Sequence, residues 1–406
     1  MTKKNGVTPS EARRDASKPL SGIVVIELGH SVAAPFAAQI LADLGARVIK
    51  IEKPETGDDA RVWGPPFWYG AAATFQGLNR NKLSATVDLK NETQCGQLAD
   101  FIAKEVDVVV QNMRPGLVAK IGLDGDALRK RNSKLIYCNL GAFGDVGPLR
   151  NSTGYDPLVQ AFSGIMSVTG EEGRPPVRVG PSIIDMGAGM WCAIGILAAI
   201  NHRTHTGEGC TVDNSLFETA LSWMTIPFAN TIASGRSPGR TGSETPMLVP
   251  YKAFHASDRY IVIAAGNDNL FRKLCSVLEQ DAWADDERFN TNAHRVHNRD
   301  ILNKLIQKTI STASASSWIA KLDAVGVPCA LMQTVDEVLK HPQTDALGMI
   351  VQPEGSGLQL IGLPLRFDGT RPAVTSAPPA LGAHSSILSE SPRAAPVSEN
   401  KIVGTG

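Results

Sequence analysis

Residues 22–54 read GIVVIELGHSVAAPFAAQILADLGARVIKIEKP. GIVVIELG is short, apolar and closed by Gly29, the pattern of a buried strand. PFAAQILADLG follows with a helical apolar period and ends at Gly45, a natural C-cap. ARVIKIEKP then reads as a second strand. Strand, helix and strand in so short a span predict a βαβ unit, and a βαβ unit implies a parallel sheet. No GxGxxG follows the first strand, so the nicotinamide-binding fingerprint is absent.

Reading outward, the alternation continues. ATVDLK (85–90) predicts a strand, residues 92–104 a helix, and VDVVVQNMRPG and KLIYCNLGAFG two further strands with turns. The expectation is a Rossmann-like, doubly wound α/β large domain. Ligands in such sheets lie beyond the carboxyl ends of the strands, which places His30, Lys53, Asn112 and Phe143 near one edge. The basic residues Lys50, Lys53, Arg80, Lys82, Arg114 and Lys120 are read as following strand ends, where together they could bind phosphates. Residues 208–224 predict a strand running into a helix, and 226–247 a linker. YKAFHASDRYIVIAAGNDNLFRKLCSVL opens a smaller α+β domain at 248–335. Residues 336–390 are expected to return to the large domain at 19–225, leaving a loose arm at 1–18 and a loose tail at 391–406.

Residues 154–203 carry the chemistry. Asp185 is the only charged residue between Arg178 and Arg203, and the 15 residues MGAGMWCAIGILAAI follow it. That run falls short of the ~20 residues that span a bilayer, so it predicts a buried helix with Asp185 at or just before its N-terminus. Asp185 then reads either as an N-cap or as a nucleophilic carboxylate, with Gly187, Ala188 and Gly189 leaving room for a ligand. One oxygen could cap while the other attacks.

The chain has 406 residues, 43% hydrophobic and 20% charged, enough for two domains with substantial cores. With 40 basic and 40 acidic residues it shows no sign of a nucleic-acid or membrane partner. Its six cysteines are scattered without a CxxC pair, as expected of reduced thiols in a cytoplasmic protein, and the first 20 residues contain no secretory h-region. There is no HExxH, GxSxG or P-loop. His202 and His205 lack acidic or thiolate partners in register, so no metal site is expected.

The strings LADLGARVIKIEKPETGDDAR, LNRNKLSATVDLK, VVVQNMRPG, GYDPLVQAFSGIMSVTG, SIIDMGAGM, HRTHTGEGCTVDNSLFETAL, IAAGNDNLFRKLC, GVPCALM and PPALGAHSSIL share an order and spacing. In these the chain resembles the family III CoA-transferases, which include formyl-CoA transferase, carnitine CoA-transferase and α-methylacyl-CoA racemase. The resemblance spans about residues 19–390.

It implies an enzyme that moves CoA from an acyl-CoA donor, such as succinyl-CoA, to a carboxylic acid, the alternative being a racemase-type isomerase or a non-catalytic CoA-binding protein. SIIDMGAGM matches the motif that carries the nucleophile, which falls on Asp185; aspartyl anhydride and aspartyl-CoA thioester intermediates follow from that. CoA contacts are implied at His30, Ser31, Val32, Lys53, Lys82, Asn112, Met113, Lys120, Ile121 and Phe143. CoA and acyl-CoA enter as substrates, and no tightly bound cofactor is expected. Subunits of the family are rings in interlocked homodimers. Phe143 stands where formyl-CoA transferase has a tyrosine, and GSETPML replaces its glycine loop, which argues against formyl-CoA and oxalate as substrates. Racemases of the group carry a GHD histidine. Here the residues are Gly154, Tyr155 and Asp156, and a tyrosine with a pKa of ~10 is a poor partner for two-base proton exchange, which favours transfer over racemisation. Tyr155 is expected to pack in the acyl pocket.

Overall fold

A computed structural model describes residues 18–389. The expected arm, apart from Lys18, and the expected tail at 391–406 lie outside the described residues. Two compact units are present, one made of 18–164, 179–228 and 345–389, the other of 165–178 and 229–344.

The first unit is built on a six-stranded sheet of β1 (Val24–Leu28), β2 (Arg47–Glu52), β3 (Lys82–Thr86), β4 (Val108–Gln111), β5 (Ile136–Gly141) and β6 (Thr211–Ser215). All five pairings are parallel, and the order is β3-β2-β1-β4-β5-β6. The order reverses between β1 and β4, which opens a crevice at their carboxyl ends. Helix α1 (Ala33–Asp43) forms the predicted crossover between β1 and β2, and α2 (Glu92–Glu105) that between β3 and β4. Val25, Ile26, Ile49, Val109 and Ile136 are fully buried, as strands covered on both faces require.

β3 begins at Lys82, earlier than the expected Ala85, and Lys50 lies inside β2. Both lysines are therefore interior strand residues, and a set of six basic side chains at one edge does not form. Of the segment 336–390, residues 345–389 group with the first unit. Ile350–Val351 and Leu360–Ile361 pair only with each other. It is the segment near His384 that meets β3: the His384 N–H donates to the Ser84 carbonyl at 2.8 Å, and the Thr86 N–H donates to Ser385 Oγ at 3.1 Å. These contacts cover the sheet edge that would otherwise stand open.

Past β5 come α3 (Asp156–Phe162), α4 (Ile183–Thr206) and α5 (Leu216–Trp223). α4 has 24 residues, more than the apolar run alone predicts, because polar residues 201–206 continue it to a Gly207 C-cap at φ 77°. By length and composition it could cross a membrane, but it packs on α1 and α5 as a core helix. Gly189 permits this packing, since a Cβ there would lie 2.7 Å from the Ala33 carbonyl oxygen. Residues 226–234, expected as linker, lie in helix α6 (Thr225–Ser234).

The second unit has a three-stranded antiparallel sheet, with β8 (Tyr260–Ala264) between β7 (Tyr251–His255) and β9 (Cys329–Leu331). Phe254, Ile261, Phe271, Leu274 and Trp318 fill its core. Arg295 is fully buried there and donates to the carbonyls of Val249, Phe289 and Gly266, with Asp268 as counter-ion at 2.8 Å. Each of its three nitrogens thus finds at least one acceptor, the condition under which a buried guanidinium is tolerated.

Candidate active site

The loop from β1 to α1 lies at the point where the sheet order reverses. Asn112, just beyond β4, grips it: the His30 N–H donates to Asn112 Oδ1 and Asn112 Nδ2 donates to the His30 carbonyl, both at 3.0 Å. From the other side Asp58 Oδ1 accepts the Ser31 N–H at 3.0 Å. Ser31 has φ 71°, a left-handed conformation unfavourable for a residue with a Cβ, and the two clamps hold it there. The His30 Nδ1 lies 2.9 Å from Ser31 Oγ. Burial holds the imidazole below its ordinary pKa, against the opposing pull of Asp58.

Beneath this loop lies a buried charge network. Lys50 Nζ meets Glu27 Oε1 at 2.6 Å and Asp58 Oδ2 at 2.7 Å, and donates to the Gly29 carbonyl at 2.9 Å. Burial alone would lower the Lys50 pKa, but Glu27 and then Asp58 hold it well above the usual range. Lys82 Nζ lies 2.8 Å from Glu27 Oε2 and donates to the Pro35 carbonyl at 2.7 Å and to Asn79 Oδ1 at 2.8 Å. The contacts at Glu27 Oε2 and Asp58 Oδ2 are charge contacts rather than aligned hydrogen bonds. Glu52 takes a two-point contact from Arg61, both arms at 2.8 Å, and accepts the Asp58 N–H at 3.0 Å.

Lys82 is only 1% exposed, and with its donors occupied it does not reach a ligand at the surface; its implied CoA contact is corrected to a scaffold role. Arg80 is likewise buried, against Asp43. Lys53 and Lys120 are exposed, Lys53 only 3.4 Å from Asp59. Met113 and Ile121 pack against the core cluster under β4. Val32 is the N-cap residue of α1. Phe143 stacks edge-on to Phe162 at 5.2 Å and against Phe217 at 5.9 Å, an aromatic group joining β5, α3 and α5.

Asp185 is not the N-cap. Ser182 holds that position, and Asp185 is the third residue of α4. The capping acceptor comes from another helix. Asp156 Oδ2 accepts the Ile184 N–H at 2.7 Å and the Asp185 N–H at 3.2 Å. A carboxylate at a helix start is ordinarily stabilised as an ion. Here those two first-turn donors serve Asp156, and burial followed by repulsion from Asp156 pushes the Asp185 carboxyl up to about 7. Gly187, two residues on, leaves space that the Trp223 indole of α5 fills: a Cβ at Gly187 would lie 2.7 Å from Trp223 Nε1. Because Gly189 sits against Ala33, the His30–Val32 loop entering α1 adjoins the first turns of α4. Tyr155 is the N-cap residue of α3 and is 56% exposed rather than packed in a pocket of this unit. Asp156 and Trp223 escaped the sequence reading because an aspartate that caps a distant helix, or a tryptophan lying on one glycine, leaves no local periodicity.

A carboxyl whose charge is disfavoured, set among small residues beside a rigid loop at a sheet crevice, is suited to covalent acyl chemistry. The model for CoA-transferase family III matches residues 20–385. The chain belongs to that family. It is 37% identical over 382 residues to the succinate–glutarate CoA-transferase of Agrobacterium fabrum (strain C58 / ATCC 33970), covering 92% of this chain and 95% of that one. It is also 37% identical over 354 residues to the acetyl-CoA:oxalate CoA-transferase of Acetobacter aceti, covering 86% and 90%. Among solved structures, a CAIB/BAIF family protein from Brucella suis superposes with a TM-score of 0.83 at 38% identity, covering 92% and 99%. The protein is thus a family III CoA-transferase, an enzyme that acts on CoA thioesters.

Proposed function

We propose that this CoA-transferase moves CoA from succinyl-CoA or a similar donor to a small dicarboxylic acid, with Asp185 as nucleophile. The carrying observation is the Asp185 carboxyl itself, raised to about 7 in the first turn of a helix whose N–H groups are taken by Asp156. One carboxylate oxygen attacks the donor thioester carbon. The C–S bond breaks, leaving an acyl–aspartyl anhydride and CoA thiolate. The thiolate attacks the aspartyl carbon, releasing the donor acid and forming an aspartyl-CoA thioester. The acceptor carboxylate attacks that thioester, expels the thiolate and makes a second anhydride. The thiolate then takes the acceptor's acyl group and restores the Asp185 carboxylate. Each step exchanges one acyl bond for another, so the thioester's energy is kept.

In this reading CoA lies over His30, Ser31 and Val32, with Met113, Ile121 and Phe143 contributing apolar surface and Lys53 and Lys120 facing its phosphates. Asn112 shapes the loop rather than touching the ligand. The β3-β2-β1-β4-β5-β6 order supports a Rossmann-like assignment. The names of the relatives support a dicarboxylate acceptor, and the Acetobacter aceti relative weighs against discarding oxalate. The exposed Met190, Trp191, Ile194, Leu221, Trp223 and Ile226 support an obligate partner surface, which we assign to an interlocked homodimer. Six free cysteines suit a cytoplasmic setting.

The test is Asp185→Asn, with acyl-CoA plus hydroxylamine as the trap in the wild type. The variant should keep its fold and its CoA binding and lose transfer by about three orders of magnitude or more. Mass spectrometry of the trapped wild type should find the hydroxamate on Asp185. Undiminished turnover in the variant, with deamidation excluded, removes Asp185 from the mechanism. Rapid α-deuteration of a 2-methylacyl-CoA without hydroxylamine sensitivity would make the enzyme a racemase. A panel of acids against succinyl-CoA and acetyl-CoA identifies the acceptor.

A further inference from the structure

Asp156 is 2% exposed, and each of its oxygens has a defined partner. Oδ2 takes the N–H groups of Ile184 and Asp185, and Oδ1 takes Gln160 Nε2 at 2.5 Å. The orientation of Gln160 is not free. Its Oε1 accepts the Val179 N–H at 2.8 Å, so its Nε2 must point at Asp156 and donate. Both oxygens of Asp156 are therefore acceptors. A protonated acid or an amide would set donor against donor at one end of this chain, so the geometry calls for a carboxylate.

That leaves a buried negative charge bonded to the Asp185 backbone N–H. Among the described residues, the other charged groups on elements packed against α4 are engaged elsewhere, and the Cys138 thiol of β5 meets Cys192, two turns beyond Asp185. On α1, Asp43 is bound by Arg80. On β6, Asp213 Oδ1 accepts Asn139 Nδ2 at 2.7 Å. On α5, Glu218 accepts the Ser215 hydroxyl at 2.7 Å. β5 contributes Tyr137, whose hydroxyl donates to the Leu123 carbonyl, and the buried Cys138. Among the described residues, α3 alone brings an anion to the start of α4.

We propose that Asp156 is a positioning residue for transfer: locked as an acceptor by Gln160, its carboxylate fixes the first turn of α4 and raises the basicity of Asp185. The catalytic part of this rests on Asp185 being the nucleophile. The consequence is chemical. Two neighbouring anions repel while Asp185 is a free carboxylate, and the repulsion ends when its oxygen is acylated and loses its charge. Asp156 thus favours the acylated enzyme over the resting one, and a more basic carboxylate is also the better nucleophile.

The experiment follows the ionisation of Asp185 in the full-length apo protein. The readout is the pH dependence of carbodiimide coupling at Asp185, measured by peptide mass spectrometry, because only the protonated carboxyl couples. Asp156→Asn removes the charge, and Asp156→Ser offers an uncharged hydroxyl that can turn to accept if the amide impairs folding. In either folded variant the midpoint should fall by about one pH unit or more, the scale set by a like charge nearby. The ratio of kcat/KM at pH 5 to its plateau should rise about tenfold, since a one-unit fall in an acid limb near 7 has that effect two units below it. The plateau kcat should drop with little change in KM for acyl-CoA, and Asp156→Glu should restore part of both effects. An unchanged coupling midpoint in a folded charge-removing variant overturns the proposal whatever the activity. A shifted midpoint in a protein that yields no Asp185 hydroxamate upholds the electrostatic coupling and instead defeats the nucleophile reading.

Discussion

Asp185→Asn should make the apo protein more stable at pH 8, by an amount that shrinks as pH falls. The carboxyl is shifted from its ordinary 3.8 to about 7, burial being the larger cause and Asp156 the second. A raised acid pKa means the folded state holds a proton that the unfolded chain has released. Ionising Asp185 in the fold is therefore unfavourable, fully so above pH 7 and progressively less between 7 and about 4. A shift near three units corresponds to a ceiling of about 4 kcal/mol at pH 8. At pH 5 two of those units have been relieved, so the penalty is smaller by about 3 kcal/mol. Asparagine carries no charge at either pH and leaves Asp156 in place as the cap of α4. For a chain of this size 3 kcal/mol corresponds to about 4 °C in Tm. Calorimetry of wild type and variant without CoA, at pH 5, 6.5 and 8, measures it. The variant's advantage should grow by about that amount from pH 5 to pH 8. An advantage independent of pH, or one that reverses at pH 8, would refute a strained carboxylate at this position.

Two further outcomes concern the scaffold under the loop. Glu27→Gln leaves two buried ammoniums without their shared counter-ion and should destabilise by about 3–5 kcal/mol, whereas Lys82→Met leaves Glu27 its Lys50 partner and should cost less at pH 7. The Lys82 ammonium, pushed down to about 8 chiefly by burial, is itself unfavourable below pH 8, and that cost is relieved only as pH rises toward 10.5. Urea midpoints of the two variants give the comparison, and Lys82→Met should bind acyl-CoA as the wild type does. Asn112→Ala releases both hydrogen bonds to the His30 peptide and should raise KM for acyl-CoA about tenfold, the value of one to two such bonds, with kcat little changed. Steady-state kinetics distinguishes this from a large loss of kcat, which would place Asn112 at the reacting atoms.

Period and punctuation in the chain were enough to read the βαβ start, the parallel sheet and the helix after Asp185, because strand and helix periodicity are local properties. SIIDMGAGM put Asp185 forward through its likeness to a family motif. The charge of each group was not legible, because it depends on neighbours distant in sequence. Lys82 reads as a surface cation until the register sets β3 beside β2 and buries it against Glu27, 55 positions earlier in the chain. Asn112, implied as a ligand contact by resemblance, also bridges the His30 peptide 82 positions away, a role no local pattern carries. Asp185 reads as a cap until α3 packs on α4 and Asp156 takes the N–H groups. Burial depth and hydrogen-bond partners are set by which elements pack together, and they decide whether a carboxylate caps, positions or attacks.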